Sequence, residues 1–538
     1  MLKLNREGIK NRSEWYKAGI ELPEFDIDSM ISKTFESPTW IHFGAGNIFR
    51  GFIAVLQQTL LNKGLDDKGI IAAETFDVEI IDKAYKPFDN LSLLVIMNPD
   101  GSFEKKVVGS LAGSLAGDPS RKEDWNTLNE LFKKPSLQMV SMTITEKGYN
   151  LKNLSGEYFP DVKKDIEEGP ASVRHAMSKM ASLAYTRFKN GKHKLAFVSM
   201  DNCSHNGERF GNAVITIASE WAKRGLVEPE FLDYVKNPDM VSFPWTMIDK
   251  ITPRPAEEVR QSLIKDGLLD MELVKTEKNT YVAPFINAEG PQYLVVEDCF
   301  PNGRPPLQEA GVIFTSRETV DRVEKMKVCT CLNPLHTSLA IYGCLLGYKF
   351  ISEEMKDPQL KKLVEKICFE EGMPVVVNPG VIDPVVFANE VIKVRLPNPY
   401  IPDTPQRIAV DTSQKLAIRF GETIKSYEKR SDLDTQSLKY IPLVIAGWCR
   451  YLMGLDDEGN EMQLSPDPML DTLRPFFKDM KLGAQVNVKE VLSPILSNPT
   501  LFGVNLYEVG LGEKTEGYFG EMITGPGAVR KTLEKYVK

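Results

Sequence analysis

The sequence is short of features that would mark several large functional classes. No stretch of its 538 residues is long and apolar enough to span a bilayer, and the N-terminal MLKLNREGIKNRSEWYKAG is polar and charged. No membrane partner is expected. There is no basic excess either: 66 Lys and Arg stand against 74 Asp and Glu, a net charge of −8. A nucleic acid or an anionic membrane needs a basic face, so neither is expected as a partner, while a local basic pocket for a small anion remains compatible. Histidine is scarce, at five residues, and the seven cysteines are odd in number and scattered through apolar stretches. Cys329 and Cys331 make only a C-x-C, and no Cys/His set has metal-ligand spacing, so no metal site is expected. Reduced thiols in a cytoplasmic protein fit this pattern better than a disulfide framework. Repeats, low-complexity segments and coiled-coil heptads are absent, which leaves a monomer or a small homo-oligomer.

What remains is the composition of a soluble globular protein, 42% apolar and 26% charged, in a chain too long for one core. Short apolar runs at 40–43, 69–73, 93–97, 137–144 and 195–200 read as buried strands, with a helical pattern around 171–189. Strands alternating with helices indicate an α/β fold with a doubly wound, mostly parallel sheet of the Rossmann type, whose strand ends are where ligands sit. The segment 279–305 is β-like. From 319 onward the pattern is helical, over 320–349, 357–371, 384–395, 412–429, 440–453 and 466–482. We therefore expect a dinucleotide-binding domain over 1–316, including an N-terminal extension, and a mainly α-helical substrate and catalytic domain over 317–538.

Gly44-Ala45-Gly46 follows the first strand and opens a helix at Asn47 and Ile48. Glycines let the backbone approach a pyrophosphate, and the N–H groups of a helix start face it. The next glycine, Gly51, comes five positions after Gly46 rather than three, so the fingerprint is imperfect. Arg50 is either an added charge or a solvated helix residue. After the second strand, Glu74 and Asp77 are candidates to accept from the adenosine ribose and to disfavour a 2′-phosphate, which points to NAD as cofactor; the alternative for each is a loop or capping role.

Six segments in order carry a resemblance: HFGAGNIFRG (42–51), TITEKGY (143–149), DNCSHNG (201–207), FPWTMIDKITP (243–253), EKMKVCTCLNPLHTS (324–338) and RIAVDTSQK (407–415). Together they resemble the long-chain mannitol dehydrogenase family of polyol and hexuronate oxidoreductases, from about residue 38 to at least 425. The resemblance implies hydride transfer with NAD, no metal, and a lysine as general acid/base. It assigns the base to Lys327, substrate-oxygen polarisation to Asn333 with Asn202, and a neighbouring hydroxyl to His336; Glu324, one helical turn before Lys327, is a candidate to relay its proton to solvent, the alternative being a surface ion pair. It also brings Arg407 and Lys415 to the substrate's hydroxyl or carboxylate oxygens and Asp249 near the active site. The physical chemistry agrees: alcohol oxidation needs a base, donors for the developing alkoxide and a dry pocket, and burial lowers a lysine's pKa. His205 and Asn206 are equally well read as loop residues. Thr412 and Ser413 are candidate caps that would turn Lys415 inward.

One departure has a structural consequence. The family pattern separates the lysine from the asparagine by five residues and from the histidine by eight; here the gaps are six and nine. On a regular helix the extra residue rotates Lys327 by about 100° away from Asn333 and His336. Either a one-residue π-bulge between Val328 and Leu332 absorbs it, or the base is Lys325 or another group. The HFGAGNIFRG and CLNPLHT variants lie closer to the fructuronate-reductase branch than to the mannitol branch. The expected activity is the interconversion of D-fructuronate and D-mannonate, with mannitol 2-dehydrogenase and tagaturonate reductase as alternatives. A dinucleotide-binding regulatory protein that lost catalysis through the one-residue shift, and a metal-dependent enzyme, are the readings from other classes.

Overall fold

The computed structural model describes residues 1–153, 155–478 and 480–538. The chain divides into two compact units, Met1–Asp321 and Arg322–Lys538.

The first unit is built on six parallel strands: β1 (Trp40–Phe43), β2 (Ile70–Glu74), β3 (Leu111–Ala116), β4 (Met139–Met142), β5 (Leu195–Ser199) and β6 (Val241–Ser242). Their spatial order is β3-β2-β1-β4-β5-β6, with every neighbouring pair parallel. This is the doubly wound Rossmann order, which reverses direction between β1 and β4. The strands read as unbroken apolar runs because both faces are covered. Alternate residues sort to opposite sides: Ile41, Phe43, Ile71 and Val140 enter one core, and Trp40, Ile70, Ala72 and Met139 the other.

One expectation is corrected here. The run at 93–97 is a strand, Ser92–Met97, but it belongs to a separate four-stranded sheet, paired antiparallel with Phe103–Val108 and parallel with Phe285–Ala288. The reason is local. Asn98 and Gly101 close a tight turn, with Gly101 at φ +90°, and a tight hairpin forces antiparallel pairing. The third strand of the Rossmann sheet is instead Leu111–Ala116, whose small residues make room for helix α1 (Ile27–Glu36): a Cβ on Gly113 would lie 2.8 Å from the Phe35 ring.

The second unit is helical. Helix α2 (Arg317–Met326), whose first five residues belong to the first unit, leads into a π-turn at Lys327–Cys331 and then helix α3 (Asn333–Leu346). Helix α4 (Tyr440–Leu452) is buried along its whole length, as expected for a helix apolar on every side. The N–H groups of its first two residues, Tyr440 and Ile441, and of the preceding Lys439 donate to the carboxylate of Glu371. Two expected helices shrink. Residues 412–429 begin as a 3-10 turn, Thr412–Gln414, and become α-helical only at Glu422–Lys429. The described part of 466–482 holds a short helix, Leu470–Leu473, and a 3-10 turn, Arg474–Phe477, because Pro466, Pro468 and Pro475 interrupt the backbone ladder. Among the described residues no helix is long and apolar enough to cross a membrane.

Candidate active site

The glycine loop stands at the carboxyl end of β1, where the strand order reverses. Gly44 has φ +101°, and a Cβ there would lie 2.0 Å from the carbonyl oxygen of Thr143 at the end of β4. Only glycine fits. A Cβ on Gly46 would meet nothing within 4 Å, so this side of the loop is open. Gly46, Asn47 and Ile48 are half-buried between fully buried Ala45 and Phe49. The first N–H groups of a helix have no partner within it. Gly51 serves close packing: its Cβ would come within 3.1 Å of Ile286 and 3.2 Å of Thr252. Arg50 is neither a solvated residue nor a charge offered at the surface. It is fully buried, donates to Ala283 O (2.8 Å) and Asn47 Oδ1 (3.1 Å), and lies over the Tyr85 ring.

Glu74 and Asp77 are buried at the end of β2, and each has internal partners. The Glu74 carboxylate accepts from Ala45 N (2.8 Å), Phe76 N (2.8 Å) and Asp77 N (3.2 Å), tying the glycine loop to the next strand. Burial pushes its pKa up, against those three donors. The Thr276 hydroxyl donates to Asp77 at 2.6 Å.

Asn202 follows β5 and is exposed, while Asp249 ends the strand Thr246–Asp249 and is buried. Asn206 braces the loop, donating to Asp201 O and Thr246 O and accepting from Thr246 N. His205 stacks on Trp245 at 4.2 Å. Both are loop-shaping residues. Asp201, beside Asn202, accepts from Tyr149 Oη (2.5 Å) and Ile144 N (2.9 Å), and burial lifts its pKa to about 7.

In the helical unit the wide turn between α2 and α3 falls where the spacing requires it. Leu332 N–H donates to Lys327 O at 3.1 Å, a five-residue span, and the regular ladder resumes with His336 N to Leu332 O at 3.0 Å. The Thr423 hydroxyl donates to the Cys329 carbonyl within the turn. Lys327 is 2% exposed, Lys325 is exposed, and Glu324 is half-buried one turn before Lys327. Asn333 opens α3, with Pro334 in its first turn.

His336 Nε2 lies 3.4 Å from Asp403 Oδ2, within ion-pair range but not aligned as a hydrogen bond; among the described residues that nitrogen has no hydrogen-bond partner. Burial lowers the His336 pKa, outweighing Asp403, and Arg407 and Arg419 lower it further, so the imidazole is neutral near pH 7. Burial pushes the Asp403 carboxyl up, yet His336 and Arg407 together hold it below its ordinary range. Arg407 is exposed, its guanidinium bonded to Asp403. Lys415 is half-buried and donates to Val410 O. Burial lowers its pKa, helped by Arg419 and Arg407 and opposed by Asp411 and Asp467. Thr412 and Ser413 do not cap a helix: Thr412 bonds back to Ala409 O, and Ser413 bonds Asp467.

Two residues near this group were not singled out from sequence. Asp403 stands four before Arg407 and Arg419 four after Lys415, spacings that bring side chains onto one face but look like ordinary solvated pairs in a bare sequence. Among the described residues no group of three or more His, Cys, Asp or Glu is placed to hold a metal ion.

A doubly wound Rossmann sheet with a glycine loop at its switch point, followed by a helical unit carrying a buried lysine, defines a dinucleotide-dependent oxidoreductase architecture. The mannitol dehydrogenase Rossmann domain profile matches residues 38–309, and the mannitol dehydrogenase C-terminal domain profile matches 319–509. A D-mannonate oxidoreductase of Thermotoga maritima is 58% identical over 538 residues, covering 100% of this chain and 99% of the relative. A mannitol 2-dehydrogenase of Aspergillus fumigatus is 27% identical, again covering 100% of this chain and 99% of its own. Among solved structures, Pseudomonas fluorescens mannitol 2-dehydrogenase, in ternary complex with NAD and D-mannitol, shares the fold with a TM-score of 0.71 at 24% identity, covering 99% of both chains. The chain belongs to the mannitol dehydrogenase family and is an oxidoreductase.

Proposed function

We propose that the protein interconverts D-fructuronate and D-mannonate with NAD, without a metal, using Lys327 as general acid/base. The observation that carries this reading is the buried lysine on the π-turn directly before Asn333 and His336. The extra residue that would turn Lys327 away from them is taken up by that turn. The 58% identity to a D-mannonate oxidoreductase along the whole chain supports the choice of substrate pair.

The loop fits a dinucleotide by its own geometry: Gly44 fills a place no side chain can enter, and Gly46 leaves the approach to the helix start open. Gly46, Asn47 and Ile48 would hold the pyrophosphate, with Glu74 fixing the loop beneath it and Glu74 or Asp77 adding a ribose contact. Bound there, NAD would supply the hydride acceptor for the alcohol carbon, and NADH the hydride donor for reduction.

Lys327, kept from water, takes the hydroxyl proton in the oxidative direction and returns it to the oxygen in reduction. Glu324 passes that proton to solvent. Asn333 donates to the same oxygen as charge develops on it, and His336, neutral, bonds a neighbouring hydroxyl. Arg407 and Lys415 bind further oxygens of the substrate. Asn202, as a second donor to the reacting oxygen, and Asp249, as an orienting carboxylate, complete the proposal.

NADH oxidation with D-fructuronate, D-tagaturonate and D-fructose tests it. D-fructuronate is expected to be the best substrate. A preference for D-tagaturonate or D-fructose would instead assign tagaturonate reductase or mannitol 2-dehydrogenase, and no turnover with any would favour a regulatory dinucleotide-binding protein. Lys327→Ala should lower kcat by about 100- to 10,000-fold while the thermal unfolding profile stays cooperative. Full activity in that variant, or loss of activity in Lys325→Ala instead, rejects Lys327.

A further inference from the structure

A guanidinium withdrawn from water needs partners for its donors, and most buried arginines here have them. Arg187 spends its N–H groups on the carbonyls of Phe132, Leu137, His193 and Lys194, and Arg450 on those of Leu455 and Asp456. Arg419 differs. It donates to the hydroxyl of Thr337, and among the described residues no carboxylate pairs with it. Burial pulls its pKa down to about 10 with no acidic neighbour to restore it. A guanidinium has five donors, so most of its binding capacity for an anion is uncommitted.

Its position is fixed from two sides. Arg419 lies on another π-turn, Ala417–Gly421, which packs against both the Lys327–Cys331 turn and α3. Its N–H donates to Lys415 O at 2.9 Å, so the two cations share a helical face. Thr337, which anchors the guanidinium, donates in turn to Asn333 O at 2.9 Å. The residue that anchors the guanidinium, Thr337, lies one helical turn beyond Asn333, about 6 Å along the axis between their Cα positions. That is of the same order as the separation between the keto carbon and the terminal carboxylate of an extended six-carbon chain. Arg407 is less suited to the carboxylate, because its guanidinium is already engaged by Asp403.

We propose that Arg419, with Lys415 beside it, binds the terminal carboxylate of the substrate and so selects a sugar acid over a neutral polyol. Arg407, its guanidinium held by Asp403, is left to the substrate's hydroxyl oxygens. This rests on the hexuronate reading above and names the group that would enforce it. A planar carboxylate matches the two-pronged face of a guanidinium, which a lysine cannot reproduce.

The test is steady-state kinetics of D-fructuronate reduction by the full-length protein. Arg419→Gln is expected to raise KM about 10- to 100-fold with a much smaller change in kcat, and Arg419→Lys to fall between it and the wild type. On the substrate side, the methyl ester of D-fructuronate should show a similar rise in KM with the wild-type protein, a measurement that stands even if a variant fails to fold. A KM within threefold of wild type in a folded Arg419→Gln, or equal use of the acid and its ester by the wild type, overturns the assignment. A wild type that turns over no hexuronate rejects the proposed function itself; turnover without these KM effects rejects only the role of Arg419.

Discussion

Glu354 is fully buried, and neither carboxyl oxygen has a hydrogen-bond partner among the described residues. A Cβ on Gly343 of α3 would overlap it at 2.0 Å, so the side chain fills a space that glycine vacates. Burial, then Asp357 and Glu353, push its pKa well above the ordinary 4.5. The folded state therefore favours the protonated acid. Its stabilising effect is complete below the ordinary Glu range and is lost as pH rises above 4.5 toward the raised folded value. Glu354→Gln, which mimics the neutral acid, should unfold at a higher temperature than wild type at pH 8, with the gap closing near pH 4.5; an equal gap at both would contradict this. Arg419 illustrates what the sequence hides at this scale. RFGETIKSYEK reads as a solvated helix face, and only the packing of three elements shows that one of its cations lacks an acid. The resemblance names Lys327 and His336, and composition alone leaves them among the chain's many lysines and few histidines.

The π-turn at Lys327–Cys331 was legible from a count: one residue too many between two groups that must share a face. Its location followed from helical phase, since an inserted residue either rotates everything before it or is looped into a wider turn. The same logic gives a prediction. Deleting Val328, half-exposed within the turn, should convert it to ordinary helix while leaving the phase of Lys327 relative to Asn333 nearly intact. That variant is expected to keep kcat within about tenfold of wild type, whereas an alanine inserted after Val328 should reduce it by about 100-fold or more. Equal damage from both would mean the turn's shape, rather than the lysine's phase, is what matters. Strands were harder. Ser92–Met97 and the true Rossmann strands carry the same apolar signal, and only the turn after Met97 separates them. Leu111–Ala116, with its Ala, Gly and Ser, has too little β-branched character to stand out, because its task is to let Phe35 approach.

Across the molecule, the division into a Rossmann-type sheet unit and a helical unit was readable from the change of hydrophobic period near residue 319. The helical unit was read less well in detail, since Pro466, Pro468 and Pro475 stop a helix that the apolar pattern alone would continue. Two measurements address the whole chain. NADH at about 100 times its Kd should raise unfolding stability by about 2.7 kcal/mol, seen as an upward shift in Tm. Turnover should survive prolonged treatment with EDTA, and loss of activity restored by a divalent cation would reverse the metal-free reading. The uncompensated guanidinium of Arg419 also has a practical side. A cation set up for an oxyanion does not distinguish sharply between a sugar acid and a buffer component, so sulfate and phosphate become competitors rather than bystanders. The choice of assay medium is then a titration of the site, and apparent KM in phosphate should exceed that in an anion-poor buffer at matched ionic strength.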